Sequence, residues 1–103
     1  MTEREQEEMI ATRHRVWLRA GFRCEVCGDP INRDTFQLAH RIPQRKHLLK
    51  RYGKKIIHHA TNLAATCSER CNAAVSLGEH EMMHRTVIDA IEDEERRSMW
   101  WES

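Results

Sequence analysis

The stretch Phe22-Arg23-Cys24-Glu25-Val26-Cys27-Gly28-Asp29-Pro30 decides how the rest of the chain is read. It sets two cysteines three positions apart among turn-forming residues. A second pair, Cys67 and Cys71, follows 39 intervening residues after Cys27. Two short-spaced pairs supply the four soft ligands of a tetrahedral zinc once the chain brings them together. Two disulfides are one alternative, but they need an oxidising compartment. A redox Cys-x-x-Cys is the other, and it explains only one pair. A four-thiolate zinc is closed to substrate. Its role is to tie the knuckle at 22–34 to a later helix in a domain short of core.

Outward from the knuckle, the 103 residues are enough for one domain over 1–103. Met9, Ile10, Val16, Trp17 and Ala20 recur at helical spacing, which predicts a helix over about 5–20 stopped by Gly21. Thr35 to His40 alternates and reads as a strand with Phe36, Leu38 and His40 on one face. Pro43 ends it. Gln44 to Lys55 reads as a basic loop turning near Tyr52-Gly53, and Lys55 to His59 as a second short strand. Asn62 is expected to cap a helix carrying Cys67 and Cys71. A last helix over about 79–97 offers Met83, Val87, Ile88 and Ile91 as its buried stripe. The terminal Trp100 and Trp101 are expected to close a small core or an oligomer contact, with stacking on bases as the alternative.

Charge separates along the chain although its formal sum is only +1. From Thr35 to Ser68 there is no acid, and seven cations: Arg41, Arg45, Lys46, Lys50, Arg51, Lys54 and Lys55. One positive segment in a near-neutral chain suits a polyanion, and phosphate contact is the expected use of these seven. Charged residues make up 32% and no run of six apolar residues occurs, so no membrane-spanning segment is expected. The acidic start, Glu3 to Glu8, is unlike a secretory signal, and a cytoplasmic location is expected.

Several motifs now stand in a recognisable order. Arg13-x-x-Val16-x-x-x-x-Gly21-Phe22-Arg23-Cys24-Glu25-Val26-Cys27-Gly28 resembles the opening of zinc-containing HNH endonucleases. So do Leu38-Ala39-His40-Arg41-Ile42-Pro43, then His58-His59-Ala60-Thr61-Asn62-Leu63, then Cys67 and Cys71-Asn72. The resemblance covers about 13–78. It implies an α+β, ββα-metal fold with flanking helices: two antiparallel strands joined by a long loop, then a helix, around one catalytic divalent ion (Mg²⁺, Mn²⁺, Ni²⁺ or Zn²⁺). The four-cysteine zinc is a separate structural site. The implied activity is metal-dependent hydrolysis of DNA phosphodiesters, leaving 5′-phosphate and 3′-hydroxyl ends. Phage packaging proteins are implied as neighbours.

Carried over by position, His40 is the implied general base, a task that suits a neutral imidazole near pH 7. Asn62 matches the middle residue of the family's name, which orients the base or helps hold the metal. Asn72 stands where the family most often has His; an amide oxygen can still coordinate a hard cation. Ala39 stands where the family commonly has Asp, Glu or His as a metal ligand, and a methyl group cannot coordinate. His59 is the candidate replacement, since His58 and His59 would alternate faces on a strand and only one can reach the site. A non-catalytic, zinc-stabilised nucleic-acid-binding module is the rival reading. His80-Glu81-Met82-Met83-His84 is also literally H-E-x-x-H, the zinc-protease motif. Its charged flanks, Glu79 and Arg85, and the lack of a third ligand at the required spacing argue for a surface histidine pair instead.

Overall fold

A computed structural model describes residues 2–102, with side chains described through Ser98. The side chains of Trp100 and Trp101 therefore lie outside the described residues. The elements run α1 (Glu3–Arg19), β1 (Gln37–His40), α2 (Lys46–Tyr52), α3 (Lys54–Ile57), β2 (Leu63–Thr66), α4 (Glu69–Val75) and α5 (Glu81–Glu102), with a 3-10 turn at Ala60–Asn62. The chain is α+β. No helix among the described residues is long and apolar enough to cross a membrane.

α1 starts where the Thr2 hydroxyl accepts from the Glu5 N–H and stops at Gly21, whose φ of +66° suits a residue without Cβ. Only its C-terminal half is anchored. Val16 is fully buried, whereas Met9 and Ile10 of the expected stripe are exposed. Val16 packs with Phe36, Ala60, Leu63 and Ala65 in one small core. Arg13 sits 3.9 Å over the Phe36 ring and donates to the Phe36 carbonyl. Ile42, Leu48 and Ile57 meet Val87, Ile88 and Ile91 of α5 in a second core. Met83, expected in that stripe, is 44% exposed, and its place inside is taken by His84.

β1 and β2 pair antiparallel, with Gln37 opposite Thr66, Leu38 opposite Ala65, Ala39 opposite Ala64 and His40 opposite Leu63. Paired residues share a face. Leu38, Ala65 and Leu63 look towards α1, so His40 belongs to that face. Gln37, Ala39, Ala64 and Thr66 form the other face, and α4 lies against it: Asn72 Nδ2 donates to Gln37 Oε1 over 3.3 Å.

Three expectations are corrected here. The second strand is not Lys55 to His59 but Leu63–Thr66. Lys54–Ile57 is helical, and Ile57 is buried in the helical core. The basic segment is no open loop, since Lys46–Tyr52 forms α2, although the turn at Gly53 (φ +86°) is there. Asn62 does not cap the cysteine helix. Ser68 does, by accepting from the Cys71 N–H, and Cys67 precedes that helix. β2 escaped notice because all four of its residues are buried, so it shows no alternation, and two of them are alanine, a weak strand former.

Candidate metal centre and the hairpin mouth

The knuckle is built by its own backbone. The Cys24 N–H donates to the Asp29 carbonyl and the Gly28 N–H to the Cys24 carbonyl, with Gly28 at φ +81°. Arg23 and Pro30 close it as an isolated antiparallel bridge. It is fastened to the free edge of β2 twice. The Glu25 N–H donates to the Ala65 carbonyl over 2.9 Å, and Glu25 Oε2 accepts from the Ala65 N–H over 2.6 Å. Arg19 holds that carboxylate at 3.1 Å and also donates to the carbonyls of Ala60 and Leu63.

This docking brings the two cysteine pairs together. The sulfurs of Cys24, Cys27, Cys67 and Cys71 all lie within 4.8 Å of one another. All four are free thiols; Cys27 and Cys67 are 3.5 Å apart and Cys67 and Cys71 3.7 Å. The edge of a zinc–thiolate tetrahedron is about 3.8 Å, so the group fits a tetrahedral metal ion such as zinc. Burial raises the Cys24 thiol, but the backbone N–H groups of Cys27, Val26 and Cys67 outweigh it and bring its pKa down to about 6. Such N–H donors stabilise a thiolate before any metal arrives.

The mouth of the hairpin is built differently. Asn62 is fully buried and spends its amide on backbone. Its Oδ1 accepts from the Ile42 N–H over 2.8 Å, and its Nδ2 donates to the carbonyls of Ile57 (2.8 Å) and Ile42 (3.2 Å). Asn62 thus pins the exit of β1 to the end of α3. Its effect on His40 is through the loop it fixes, two positions beyond that residue.

His40 meets His58, whereas His59, the candidate metal ligand, turns elsewhere. His40 Nε2 lies 3.3 Å from His58 Nδ1, and the rings stand edge to face. Burial, with the neighbouring His58, pushes the His40 pKa down to about 4. Burial, then Lys54, lowers that of His58 as well. Both rings are therefore neutral at pH 7. His59 instead accepts from the Thr61 N–H through Nδ1 and holds Nε2 3.6 Å from Glu95. The signal missed in the sequence was the short helix α3. It ends at Ile57 and hands His58 rather than His59 to the hairpin.

Donors for a second metal do not converge on the α4 face. Ala39 is fully buried there, and Asn72 is engaged with Gln37. Among the described residues the four cysteines are the only cluster of three or more His, Cys, Asp or Glu donors. The residues present on this face do not fit a catalytic ion.

The seven cations are exposed and partly matched by acids from the far end of the chain. Arg45 pairs with Glu79, Arg51 with Glu81 and Lys55 with Glu95, at 3.1, 2.8 and 3.5 Å. Arg41, Lys46, Lys50 and Lys54 have no ion pair among the described residues, and they keep the segment positive. Lys54, Lys55, His58 and His59 form one wall of an open cleft of about 710 Å³, whose other wall is Glu5, Glu8, Met9, Thr12 and Arg15 of α1.

The H-E-x-x-H histidines do not form a surface pair. His84 is buried, with Nδ1 3.1 Å from the Tyr52 hydroxyl and Nε2 2.7 Å from the Gly78 carbonyl. A carbonyl can only accept, so Nε2 carries the proton and the Tyr52 O–H donates to Nδ1. Neither nitrogen is open to a metal. His80 is exposed and accepts from the Met83 N–H at the start of α5. Comparison with protein-family models, curated proteins and solved structures found no match to this chain.

Proposed function

We propose that this chain is an HNH-type nuclease domain that acts on DNA phosphodiesters, with His40 as the group that activates water. One observation carries the reading. An antiparallel hairpin ends in His40 on its first strand, has a buried asparagine pinning the loop just before its second, and bears a helix across one face. A hairpin with a helix on one face supports the ββα reading that the sequence resemblance implies. His40 is unprotonated at pH 7, so its lone pair is free to accept a proton, although a pKa lowered to about 4 makes it a weaker base than an ordinary imidazole. Arg41, Lys46, Lys50 and Lys54 are the cations left to meet phosphates, and their contribution is electrostatic and insensitive to base sequence. The hairpin's α4 face supplies no carboxylate or imidazole for a divalent ion, so no step is assigned to one there.

The test is relaxation of supercoiled plasmid by purified protein, with and without added Mg²⁺, Mn²⁺ or Ni²⁺, beside His40→Ala. Cleavage by the parent and its loss in a folded His40→Ala protein is the expected result. A binding module without catalysis is the second reading, favoured by the buried Ala39 and by the Asn72–Gln37 bond. Salt-dependent DNA binding with no cleavage under any metal would establish that reading instead.

A further inference from the structure

On the face of the hairpin opposite α4, His40, the implied general base, is paired with His58, a pairing that neither the resemblance nor the four-cysteine site uses. We infer that His40 Nε2 and His58 Nδ1 form a two-imidazole site for a borderline transition-metal ion such as Ni²⁺ or Zn²⁺, opening on the cleft between α1 and α3. Three observations carry this. The two nitrogens are 3.3 Å apart. With metal–nitrogen bonds of 2.0–2.1 Å, the edge of a tetrahedral site is about 3.3 Å, so the spacing of the two nitrogens already matches two ligands of one ion. The rings stand at 77°, edge to face, so they are not stacked on one another. Finally, His58 lines the open cleft, which leaves the remaining coordination positions to water or to an oxygen of a ligand.

The site is fixed from both sides. His40 is the last residue of β1, held opposite Leu63 by the strand ladder. His58 follows α3, with its N–H bonded to the Lys54 carbonyl over 2.9 Å, and Asn62 ties the end of that helix to Ile42. Imidazole donors select Ni²⁺, Cu²⁺ and Zn²⁺ over Mg²⁺, which prefers oxygen. A bound ion takes up the Nε2 lone pair of His40. Metal binding there and proton transfer at Nε2 are therefore mutually exclusive.

Binding can be measured on a protein that cleaves nothing, so this inference stands or falls apart from the nuclease reading. Untagged protein carrying its cysteine-bound zinc is dialysed against micromolar Ni²⁺, and both metals are counted by elemental analysis. The expected result is about one nickel beside one zinc. His40→Ala and His58→Ala should each weaken nickel binding at least tenfold while keeping the zinc, and His59→Ala should leave both metals in place. Retention of the zinc reports that each variant is folded. The proposal is overturned if the parent holds no nickel, if His58→Ala binds it as well as the parent, or if only His59→Ala loses it. In any of those cases the 3.3 Å contact is simply a hydrogen bond between neutral rings.

Discussion

The cysteine cluster, assembled from the knuckle, the residue after β2 and α4, lies beside the α4 face of the hairpin, and the two differ in the donors they supply. The cluster has four sulfur donors at tetrahedral spacing, with backbone N–H groups aimed at Cys24. The hairpin has the strand register, the pinned loop and the covering helix, but an alanine and an engaged asparagine where donors are expected. Backbone geometry and ligand chemistry are thus separable. Buried hydrogen bonds and a packed helix maintain the first, whatever side chains the hairpin face carries. Only the donors themselves supply the second.

The sharpest way to break this comparison is to deny the cluster a metal ion, which its four sulfurs are spaced to hold. Structural zinc sites of this type supply about 10 kcal/mol or more of apparent binding energy, comparable with the whole stability of a small domain. Chelation, or Cys71→Ser, should therefore abolish the cooperative thermal transition followed by circular dichroism. A chelated protein that melts as the parent does would mean that the two small cores suffice.

Next in size is Asn62→Ala. It strands the Ile42 N–H and the Ile57 carbonyl in the interior, at a cost of about 3 kcal/mol. Urea denaturation measures it, and the zinc content should stay at one if the two regions are separable. Asn62→Asp can still accept from Ile42 but cannot donate to Ile57, so it should not restore the parent's stability.

How much of this was legible beforehand follows from the kind of signal each part emits. The cysteine spacing announces its chemistry in any fold. α1, β1 and α5 declared themselves through periodicity or alternation. Ile56 and Ile57 misled because two β-branched residues in a short apolar run fit a strand or a buried helical turn equally well. Only the fit of Ile57 against Ile91 and Leu48 decides between them. The same helical turn places His58 rather than His59 beside His40, which strand alternation alone does not decide. His84 was misjudged for another reason. Its partners, Tyr52 and Gly78, are supplied by tertiary structure, and a motif cannot reveal that its second histidine is spent on a tyrosine.

That misjudged histidine gives the third test. His84→Ala should cost about 2 kcal/mol through the orphaned Gly78 carbonyl and Tyr52 hydroxyl, while His80→Ala stays within about 0.5 kcal/mol of the parent. Equal effects would return the pair to the surface.

The smallest effect is a pH dependence. The His40 pKa lies at about 4, below its ordinary 6.5, so over this window the unfolded chain binds a proton that the native one refuses. Stability is then complete above pH 6.5 and declines as pH falls towards 4. His58→Ala removes the second cause of the depression, and the His40 titration followed by NMR should move upward. A His40 that titrates near 6.5 in the parent would show that the hairpin mouth is open to water.

Glu25 has a consequence beyond its place in the knuckle. A two-stranded sheet has bare edges, and a bare edge invites another copy of the same chain to pair with it. Along β2, the Glu25 backbone and carboxylate satisfy the N–H and carbonyl of Ala65, so the loop stoppers that edge with a single residue. The stopper is seated by Cys24 and Cys27 on either side of it. With no metal ion to hold those two cysteines in place, the alanine-rich margin is expected to come uncovered, and the expected failure of metal-free protein is precipitation through strand exchange between copies, faster at higher protein concentration.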